Sequence, residues 1–308
     1  MASENQKYLI VVAGPTAIGK TALAIKLAQH FTTEIISADS RQFYKELNIG
    51  VAKPSTDELA AAPHHCIGHI GIQQPYTAAD FERDALQLLR SLYTKHNVVI
   101  LVGGSGLFIN ALLNGLDDLP SDENTRLILN QRYESEGLLP LTTQLKELDE
   151  ESYNAIDTNN PRRVIRALEI CLVSGQKASV LKQNTAASRP FIPIKIALNT
   201  DREKLYQRIN KRVDAMMDEG LENEVKGLLA YSTLNALQTV GYKELFDYFN
   251  GNTSLAKAID LVKQHTRNYA KRQITWFRKD TEYAWFEPTQ LTDIIGHINK
   301  VLNTDNTG

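Results

Sequence analysis

A short stretch near the N-terminus, Gly14-Pro15-Thr16-Ala17-Ile18-Gly19-Lys20-Thr21, has the spacing of a phosphate-binding loop. A glycine is followed by four residues and then by Gly-Lys-Thr. Loops of this type direct several backbone N–H groups at one anion from the N-terminus of a helix. We therefore expect the whole stretch to hold a polyphosphate, with Lys20 at the outer phosphates and the Thr21 hydroxyl on Mg²⁺. The spacing alone does not say which polyphosphate binds.

The best placed carboxylate opposite this loop is Asp39, which follows a predicted strand. An ordinary ATPase with such a loop ends a later strand with an aspartate that helps to hold Mg²⁺. Here the corresponding strand ends in Gly103-Gly104-Ser105, which argues against plain ATP hydrolysis. Asp39 is therefore a candidate general base or hydrogen-bond acceptor beside the phosphates, although an aspartate after a strand also commonly caps a helix or turn. Ser40 and Ser105 are candidates for positioning Mg²⁺ or the substrate.

Basic residues cluster in three segments, although the formal net charge of the chain is only −2. The segment 161–166 contains three arginines, and the segment 263–279 contains six Lys or Arg and no acid. Basic side chains interleaved with aromatic ones suit a phosphate backbone and stacked bases. A solvated helix face explains either segment alone, but the two together favour a polyanionic partner. In the third segment Arg208 and Arg212 lie one helical turn apart, where one of them could reach a diphosphate, although pairing with neighbouring acids is the alternative role.

The composition excludes several classes of protein. Hydrophobic residues make up 43% and charged residues 23% of the chain, as in globular proteins. The two cysteines, Cys66 and Cys171, suggest no disulfide framework, and we find neither an apolar signal segment nor a run long enough to cross a bilayer. We therefore expect a cytoplasmic protein with no membrane partner. His64, His65, Cys66 and His69 lack the second ligand pair of a structural zinc site, so local hydrogen bonds are their favoured role.

The candidate residues follow the strands of a predicted α/β framework. Strands at 8–13, 34–38 and 98–102 alternate with helices at 22–28 and 78–93. This alternation is typical of a parallel sheet with helices on both faces. Ligands of such sheets bind at the carboxyl ends of the strands. The phosphate-binding loop, Asp39 and Ser105 are all expected at that edge.

The pattern becomes helical from about residue 119, with predicted helices at 124–137, 138–148 and 161–174. A strand at 192–198 then returns the chain to the sheet, and helices follow at 202–219, 222–230 and 254–277. We predict a P-loop NTPase-like core domain over 1–118 and 189–302. An inserted all-helical domain is predicted over 119–188. Residues 303–308 are expected to form a disordered tail.

The chain resembles the bacterial tRNA dimethylallyltransferases, also called tRNA isopentenyltransferases, from the first strand through Lys279. One phosphate-binding loop would be weak support, but an ordered series of motifs spans almost the whole sequence. Besides residues 14–21 these motifs are Ser-Ala-Asp-Ser-Arg-Gln-Phe-Tyr at 37–44, Ile-Gly-Val-Ala-Lys-Pro at 49–54, Pro-His-His at 63–65, Gly-Gly-Ser-Gly-Leu-Phe at 103–108, Asn-Pro-Arg-Arg-Val-Ile-Arg-Ala-Leu-Glu at 160–169, Met-Met-Asp-Glu-Gly-Leu-Glu-Asn-Glu-Val at 216–225, Val-Gly-Tyr-Lys-Glu at 240–244 and Thr-Arg-Asn-Tyr-Ala-Lys-Arg-Gln-Ile-Thr-Trp-Phe-Arg at 266–278.

The resemblance implies Mg²⁺-dependent transfer of the dimethylallyl group from dimethylallyl diphosphate to N6 of an adenosine. That adenosine lies 3′ to the anticodon in tRNAs that read codons beginning with U, and the enzyme is expected to be monomeric. Asp39 matches the general base, and Lys20, Thr21 and Arg208 would stabilise the departing diphosphate. Ser105 is a further catalytic candidate, with a role in positioning Mg²⁺ or the substrate. The residues that match segments touching the tRNA anticodon stem-loop are Asp39, Ser40, Arg41, Gln42, Ser105, Arg126, Arg162, Arg163, Val164, Ile165, Arg166, Gln238, Thr239, Val240, Gly241, Tyr242 and Lys243.

Two positions depart from the family pattern: Ser105 stands where threonine is usual, and Phe108 where tyrosine is usual. Ser105 keeps the hydroxyl, and we expect the Phe108 ring to line the RNA channel. Two other functions stay open at this point. One is a small-molecule enzyme on the same core, such as a nucleotide kinase or a prenyltransferase acting on AMP. The other is an RNA-binding protein whose phosphate-binding loop is only structural. Whether ATP binds the loop is also open.

Overall fold

The computed structural model describes residues 6–183 and 186–304. Within these ranges six strands form a single sheet in the order β3-β2-β4-β1-β5-β6, and every adjacent pair is parallel. The strands are β1 (Tyr8–Ala13), β2 (Ile35–Ser37), β3 (His64–His65), β4 (Val98–Gly103), β5 (Ile192–Leu198) and β6 (Ala284–Phe286). This order places the central strands between helices on both faces of the sheet.

The same ranges contain fourteen α-helices and two 3₁₀ turns, the latter at Leu229–Tyr231 and Asn235–Leu237. The helices are α1 (Lys20–Phe31), α2 (Thr56–Ala61), α3 (Ala78–Leu92), α4 (Gly106–Asn114), α5 (Glu123–Glu136), α6 (Leu139–Leu148), α7 (Glu150–Ala155), α8 (Pro161–Ser174), α9 (Ala178–Leu181), α10 (Arg202–Asp218), α11 (Leu221–Gly227), α12 (Tyr242–Phe249), α13 (Leu255–Phe277) and α14 (Leu291–Thr304). None of the helices in the described ranges is both long and apolar enough to span a bilayer.

The described residues up to Leu113 and from Arg189 onward form one compact unit, which contains the sheet. Strand β1 is buried along its whole length, and successive side chains point to opposite faces of the sheet. Ile10 and Val12 pack in a core with α1, α10 and α14, whereas Leu9 and Val11 pack in a second core with α3 and α4. The sheet is therefore held from both sides, which fixes the positions of its strand ends.

The described residues between Asn114 and Ser188 form the second unit, and their secondary structure is entirely helical. Its core is built around Leu129 of α5, Leu141 and Leu145 of α6, and Val164 and Leu168 of α8. These apolar residues recur at helical spacing, so each helix buries one face. The helix α8 begins at Pro161 after the cap residue Asn160, whose side chain accepts a hydrogen bond from the Arg162 amide.

The predicted parallel sheet flanked by helices is confirmed, and the strands at 8–13 and 192–198 have the predicted bounds. The sequence predicts neither β3 nor β6, because strands of two and three residues are too short to show a period. It also misses the short helices α2, α7, α9 and α12, as well as α4 and α14. The predicted helix at 222–230 is wrong at its end, since α11 stops at Gly227.

The predicted disordered tail at 303–308 is wrong for its first two residues, which continue α14 to Thr304. Residues 305–308 lie outside the described residues.

Candidate active site

The phosphate-binding loop lies between β1 and α1, at the carboxyl edge of the sheet. Gly14 has φ +143°, and a Cβ atom there would lie 2.8 Å from the Leu198 carbonyl oxygen of β5. Gly19 has φ +102° and precedes the first residue of α1, Lys20. No side chain among the described residues caps this helix start. The first amides of α1 are therefore available to an anion.

Lys20 places its ammonium group over the loop. Its Nζ donates a hydrogen bond to the Pro15 carbonyl oxygen at 2.8 Å. Burial lowers the pKa of Lys20 to about 8, an effect that Asp39 opposes and Arg212 reinforces. A bound diphosphate would stabilise the charged form of this partly buried lysine, because an opposite charge at close range favours ionisation.

Asp39 lies at the end of β2, where its carboxylate is close enough to Lys20, Arg212 and Tyr269 to influence the pKa of each. One carboxylate oxygen accepts a hydrogen bond from the Arg41 amide at 3.1 Å, which orients the side chain. The ends of β2 and β4 approach closely here, since a Cβ atom on Gly103 would lie 2.4 Å from the Ala38 carbonyl oxygen. Asp39 thus faces the phosphate-binding loop across the strand ends.

Ser105 follows β4 and joins Asp39's loop through hydrogen bonds. Its Oγ accepts from the Ser40 amide at 3.1 Å and donates to the Ser40 hydroxyl at 3.2 Å. Tyr269 of α13 also hydrogen-bonds Ser105, and burial, with a contribution from Asp39, raises the pKa of this tyrosine to about 12. Asp39, Ser40, Ser105 and Tyr269 therefore form one polar cluster beside the phosphate-binding loop.

Gln273, one turn after Tyr269 on α13, ties the two loops together. Its Oε1 accepts a hydrogen bond from the Thr16 amide at 2.9 Å, and its Nε2 donates to the Gly104 carbonyl oxygen at 2.9 Å. The side chain is buried. Sequence reasoning missed this residue, because a neutral glutamine inside a basic segment carries no chemical signal. The i, i+4 spacing from Tyr269 could have placed both on one helix face.

Two arginines of α10 approach the phosphate-binding loop. Arg208 Nη1 donates to the Ile18 carbonyl oxygen of this loop at 3.3 Å, and its contact with a diphosphate stays a prediction. Arg212 lies one turn further on, where burial lowers its pKa and Asp39 opposes that shift. The sequence placed both arginines one turn apart, and the family resemblance favoured Arg208. The structure adds that Arg212 acts electrostatically on Lys20, which makes it a second candidate.

Most of the first unit's predicted tRNA residues are held by internal hydrogen bonds. Arg41 Nη1 donates to the carbonyl oxygens of Asn235 and Ala236, at 2.8 and 3.1 Å. Gln42 is buried, and its Nε2 donates to the Ala52 carbonyl oxygen at 3.0 Å. These bonds fix the loop that follows Asp39 against its neighbours.

The segment 238–243 surrounds the start of α12. Tyr242 is fully buried and donates to Glu224 Oε1 at 2.6 Å, and burial raises the pKa of this tyrosine strongly. The same Glu224 carboxylate accepts from the amides of Asn48, Ile49 and Gly50. Gln238 donates to the Ser232 carbonyl oxygen. The tRNA contacts of this whole segment stay predictions, including those of Thr239, Val240, Gly241 and Lys243.

In the second unit, Arg162 and Arg163 are exposed at the start of α8, whereas the side chains of Val164 and Ile165 are buried in its core. Arg126 and Arg166 both bind the fully buried carboxylate of Glu169, with closest distances of 2.9 Å. Burial alone would raise the pKa of Glu169, but the hydrogen bonds from the two arginines lower it below its usual value. The two arginines thus have a structural partner, and their tRNA contacts stay predictions.

The remaining singled-out residues have local partners. His64 Nδ1 lies 2.7 Å from the Ala62 carbonyl oxygen, and His65 Nε2 lies 2.7 Å from Glu34 Oε2. The described residues contain no group of three or more His, Cys, Asp or Glu side chains that could hold a metal. Phe108 packs against Phe43 and Phe81, with ring centroids 5.4 and 5.7 Å apart.

Known proteins resemble this chain in sequence and in structure. The profile of the family described as IPP transferase matches residues 42–280. A tRNA dimethylallyltransferase of Christiangramia forsetii is 52% identical over 299 residues, covering 96% of this chain and 99% of the relative. The tRNA dimethylallyltransferase 1 of Bacteroides thetaiotaomicron is 47% identical and covers 94% of each chain.

Solved structures agree. The full-length tRNA isopentenylpyrophosphate transferase of Bacillus halodurans superposes with a TM-score of 0.73 at 36% identity, covering 98% of this chain and 99% of that one. A eukaryotic dimethylallyltransferase acting on tRNA superposes with a TM-score of 0.76 at 28% identity, covering 93% and 75%. With a matching profile over most of the sequence and full-length relatives near half identity, the chain belongs to the IPP transferase family.

Proposed function

We propose that this protein transfers the dimethylallyl group of dimethylallyl diphosphate to N6 of the adenosine 3′ to the anticodon in tRNAs that read codons beginning with U. The main observation behind this proposal is that the phosphate-binding loop and Asp39 lie at one edge of the sheet, where Asp39 acts electrostatically on Lys20 of the loop. Family membership supports this reaction over the small-molecule alternatives, since the relatives are named for tRNA.

The diphosphate would bind the amides at the start of α1 and the cations Lys20 and Arg208, with Arg212 behind them. Negative charge develops on the diphosphate as its C–O bond breaks, and preorganised cations stabilise that charge. Lys20 already lies over the loop through its bond to Pro15, so little rearrangement is needed. Displacement of this bond by a phosphate oxygen would replace a neutral partner with a charged one.

The residues present fit a Mg²⁺ ion held mainly through the substrate. Magnesium prefers oxygen ligands, keeps several waters, and is commonly bound through phosphates and one or two protein oxygens. The Thr21 hydroxyl, at the second residue of α1, is the protein oxygen expected to take part. A bound Mg²⁺ would neutralise the charge of the leaving diphosphate.

Asp39 would act on the acceptor. The adenine N6 forms a bond to the allylic carbon as the bond from that carbon to the diphosphate oxygen breaks, and the proton lost by N6 passes to the Asp39 carboxylate. The base must leave its stack for N6 to reach this position. Ser105 and Tyr269, which are hydrogen-bonded beside Asp39, would keep the carboxylate's surroundings fixed.

The tRNA would contact both units, each through its own residues. In the first unit these are the loop Asp39–Gln42, Ser105 and the segment 238–243. In the second unit they are Arg126 and the start of α8, where Arg162 and Arg163 are exposed. Exposed arginines near a helix start suit the phosphates of the anticodon stem-loop.

A transfer assay tests the proposal. Purified protein is mixed with Mg²⁺, labelled dimethylallyl diphosphate and unmodified tRNA, and AMP is added as a competing acceptor. We expect label on tRNA, none on AMP, and none on a control tRNA whose target adenosine is replaced by guanosine. Label on AMP would establish the small-molecule function instead, and label on neither acceptor would refute the proposal.

A further inference from the structure

Three cations surround Tyr206 on the surface formed by α10 and α13. The Arg202 guanidinium carbon lies 5.2 Å from the centre of the tyrosine ring, and Arg267 and Lys271 each lie 5.9 Å from it. Arg202 precedes Tyr206 by one turn of α10, whereas Arg267 and Lys271 are one turn apart on α13. We call these four residues the Tyr206 cluster. Positive charges at such range repel one another, and an anion bound among them would offset this repulsion.

The cations of this cluster have neutral partners. Arg202 Nε donates to the Tyr206 hydroxyl at 3.1 Å, and Arg267 Nη1 donates to Asn210 Oδ1 at 2.7 Å. Desolvation raises the pKa of Tyr206, but hydrogen bonds from Arg202 and Lys271 outweigh it and lower the pKa below its usual value. The tyrosine hydroxyl is thus a shared hydrogen-bond acceptor for the two cations.

Ion pairs do not neutralise the cluster. Within residues 6–183 and 186–304, none of its three cations forms an ion pair. Lys263, on the same helix, shows the contrast, since its Nζ lies 2.5 Å from Asp214 Oδ1. Asp201 and Glu203 flank Arg202 in the sequence, but among the described residues neither forms an ion pair with it; the Asp201 carboxylate accepts from the amides of Glu203 and Lys204 and caps α10. The three cations of the cluster therefore have no ion-pair partner in the part of the chain that the structure describes.

The cluster lies away from the catalytic loops. Successive residues of an α-helix are separated by about 100° around its axis, so Arg267 and Lys271 lie on the face of α13 opposite Tyr269 and Gln273. The latter pair contacts Ser105 and the phosphate-binding loop. Tyr206 likewise lies on the other flank of α10 from Arg208, by the same geometry. A ligand here would be separate from the diphosphate.

We propose that the Tyr206 cluster binds one backbone phosphate of the RNA substrate, at a site separate from both the acceptor adenosine and the diphosphate. This inference rests on the proposed function, because it takes tRNA as the ligand. Arg202 and Lys271 are exposed, which favours a phosphate carried on a large molecule over a small ion enclosed by the protein. Guanidinium and ammonium donors around a phenol suit a phosphodiester, whose oxygens accept several hydrogen bonds at once.

The test is the salt dependence of tRNA binding. The double variant R267Q/K271Q is compared with wild type and with K257Q, which removes an exposed charge from the first turn of the same helix. Each lost phosphate contact lowers the slope of log K against log salt by about 0.7–0.9, which corresponds to about 5- to 8-fold weaker binding at 0.1 M salt. We expect this change in the double variant and no change in K257Q.

Further arms identify the ligand and guard against misfolding. Circular dichroism and calorimetric binding of dimethylallyl diphosphate check that each variant is folded. If the double variant does not fold, R202Q, at an exposed position of α10, is used in its place. A salt slope equal to that of wild type in a folded variant would overturn the inference. So would saturable binding of inorganic phosphate that the variant loses while its tRNA slope is unchanged.

The transfer assay remains a separate readout. If wild-type protein fails to modify tRNA, the proposed function is refuted, whereas the salt slopes still report whether the cluster binds an RNA phosphate.

Discussion

Replacing Gln273 by leucine should weaken the binding of dimethylallyl diphosphate, although Gln273 is not expected to touch it. Leucine is close to glutamine in size and fills the same buried space, but it makes neither of the two hydrogen bonds that join Thr16 to Gly104. The Thr16 amide and the Gly104 carbonyl oxygen would each lose a partner. The phosphate-binding loop would then be held less firmly in its binding conformation.

The expected size of the effect follows from those two bonds. A buried polar group left without a partner costs about 1–3 kcal/mol, so the variant should lose roughly 2–6 kcal/mol in its free energy of unfolding. Only the fraction of this free energy that stabilises the binding conformation of the phosphate-binding loop affects the Kd of the ligand. A loss of about 2 kcal/mol from the binding-competent conformation corresponds to a roughly 30-fold higher Kd.

Calorimetric titration of dimethylallyl diphosphate in the presence of Mg²⁺ measures the Kd, and urea denaturation measures the stability. The matched control is Q264L, which makes the same replacement at an exposed position of α13 and should change neither quantity. An unchanged Kd in folded Q273L would refute the reasoning, because Gln273 would then only fill space.

A second variant tests the same bridge from its other end. In G104A the added Cβ atom would lie 2.2 Å from Gln273 Nε2, so the amide must move while Gln273 itself is retained. We expect a comparable loss of diphosphate affinity. Wild-type affinity in G104A, with Q273L impaired, would assign the effect to the Thr16 bond alone.

The other predictions concern charged residues. D39N should slow the chemical step by about 10²–10⁴-fold, the range for a positioned base, and wild-type single-turnover rates would contradict it. Because the pKa of Lys20 is about 8 and its ammonium form binds the diphosphate, affinity for dimethylallyl diphosphate should fall above pH 8 by up to about 10-fold per pH unit. A pH-independent calorimetric Kd would argue against that role, and K20A should abolish diphosphate binding. R163A should lower the salt slope of tRNA binding while leaving diphosphate affinity alone, and an unaltered slope would place Arg163 elsewhere. E169Q replaces the buried carboxylate that Arg126 and Arg166 share with a neutral amide and should destabilise the second unit by about 1–3 kcal/mol, as measured by hydrogen exchange in α8; wild-type protection would disprove it.

Much of the α/β framework could be predicted, because its signals are local. An unbroken apolar run such as Tyr8–Ala13 and a glycine-rich loop before a helix define a strand and its ligand edge from short stretches of sequence. The strand order and the edge strands could not be predicted, since β3 and β6 pair with strands that are distant in sequence. Two polar histidines carry no strand pattern of their own.

The candidate site shows the same division. Lys20 and Thr21 are recognisable from their spacing, and Asp39 from its place after a strand. Gln273 and Arg212 act through partners more than a hundred residues away, such as Thr16 and Lys20, so their roles arise only from packing. For Arg126 and Arg166 the sequence indicated charge but not the buried Glu169 that holds them.

The glycines that follow β4 carry a consequence for how such sequences can diverge. A Cβ atom on Gly104 would collide with Gln273, and one on Gly106 would lie 2.2 Å from two atoms of the Trp276 ring. The motifs at 103–108 and 266–278 are separated by more than half of the chain. The large side chains of the second motif nevertheless leave no room for side chains at two glycines of the first. Natural variants with a larger residue at 104 or 106 should therefore carry a smaller one at 273 or 276, so that these positions change in pairs during evolution.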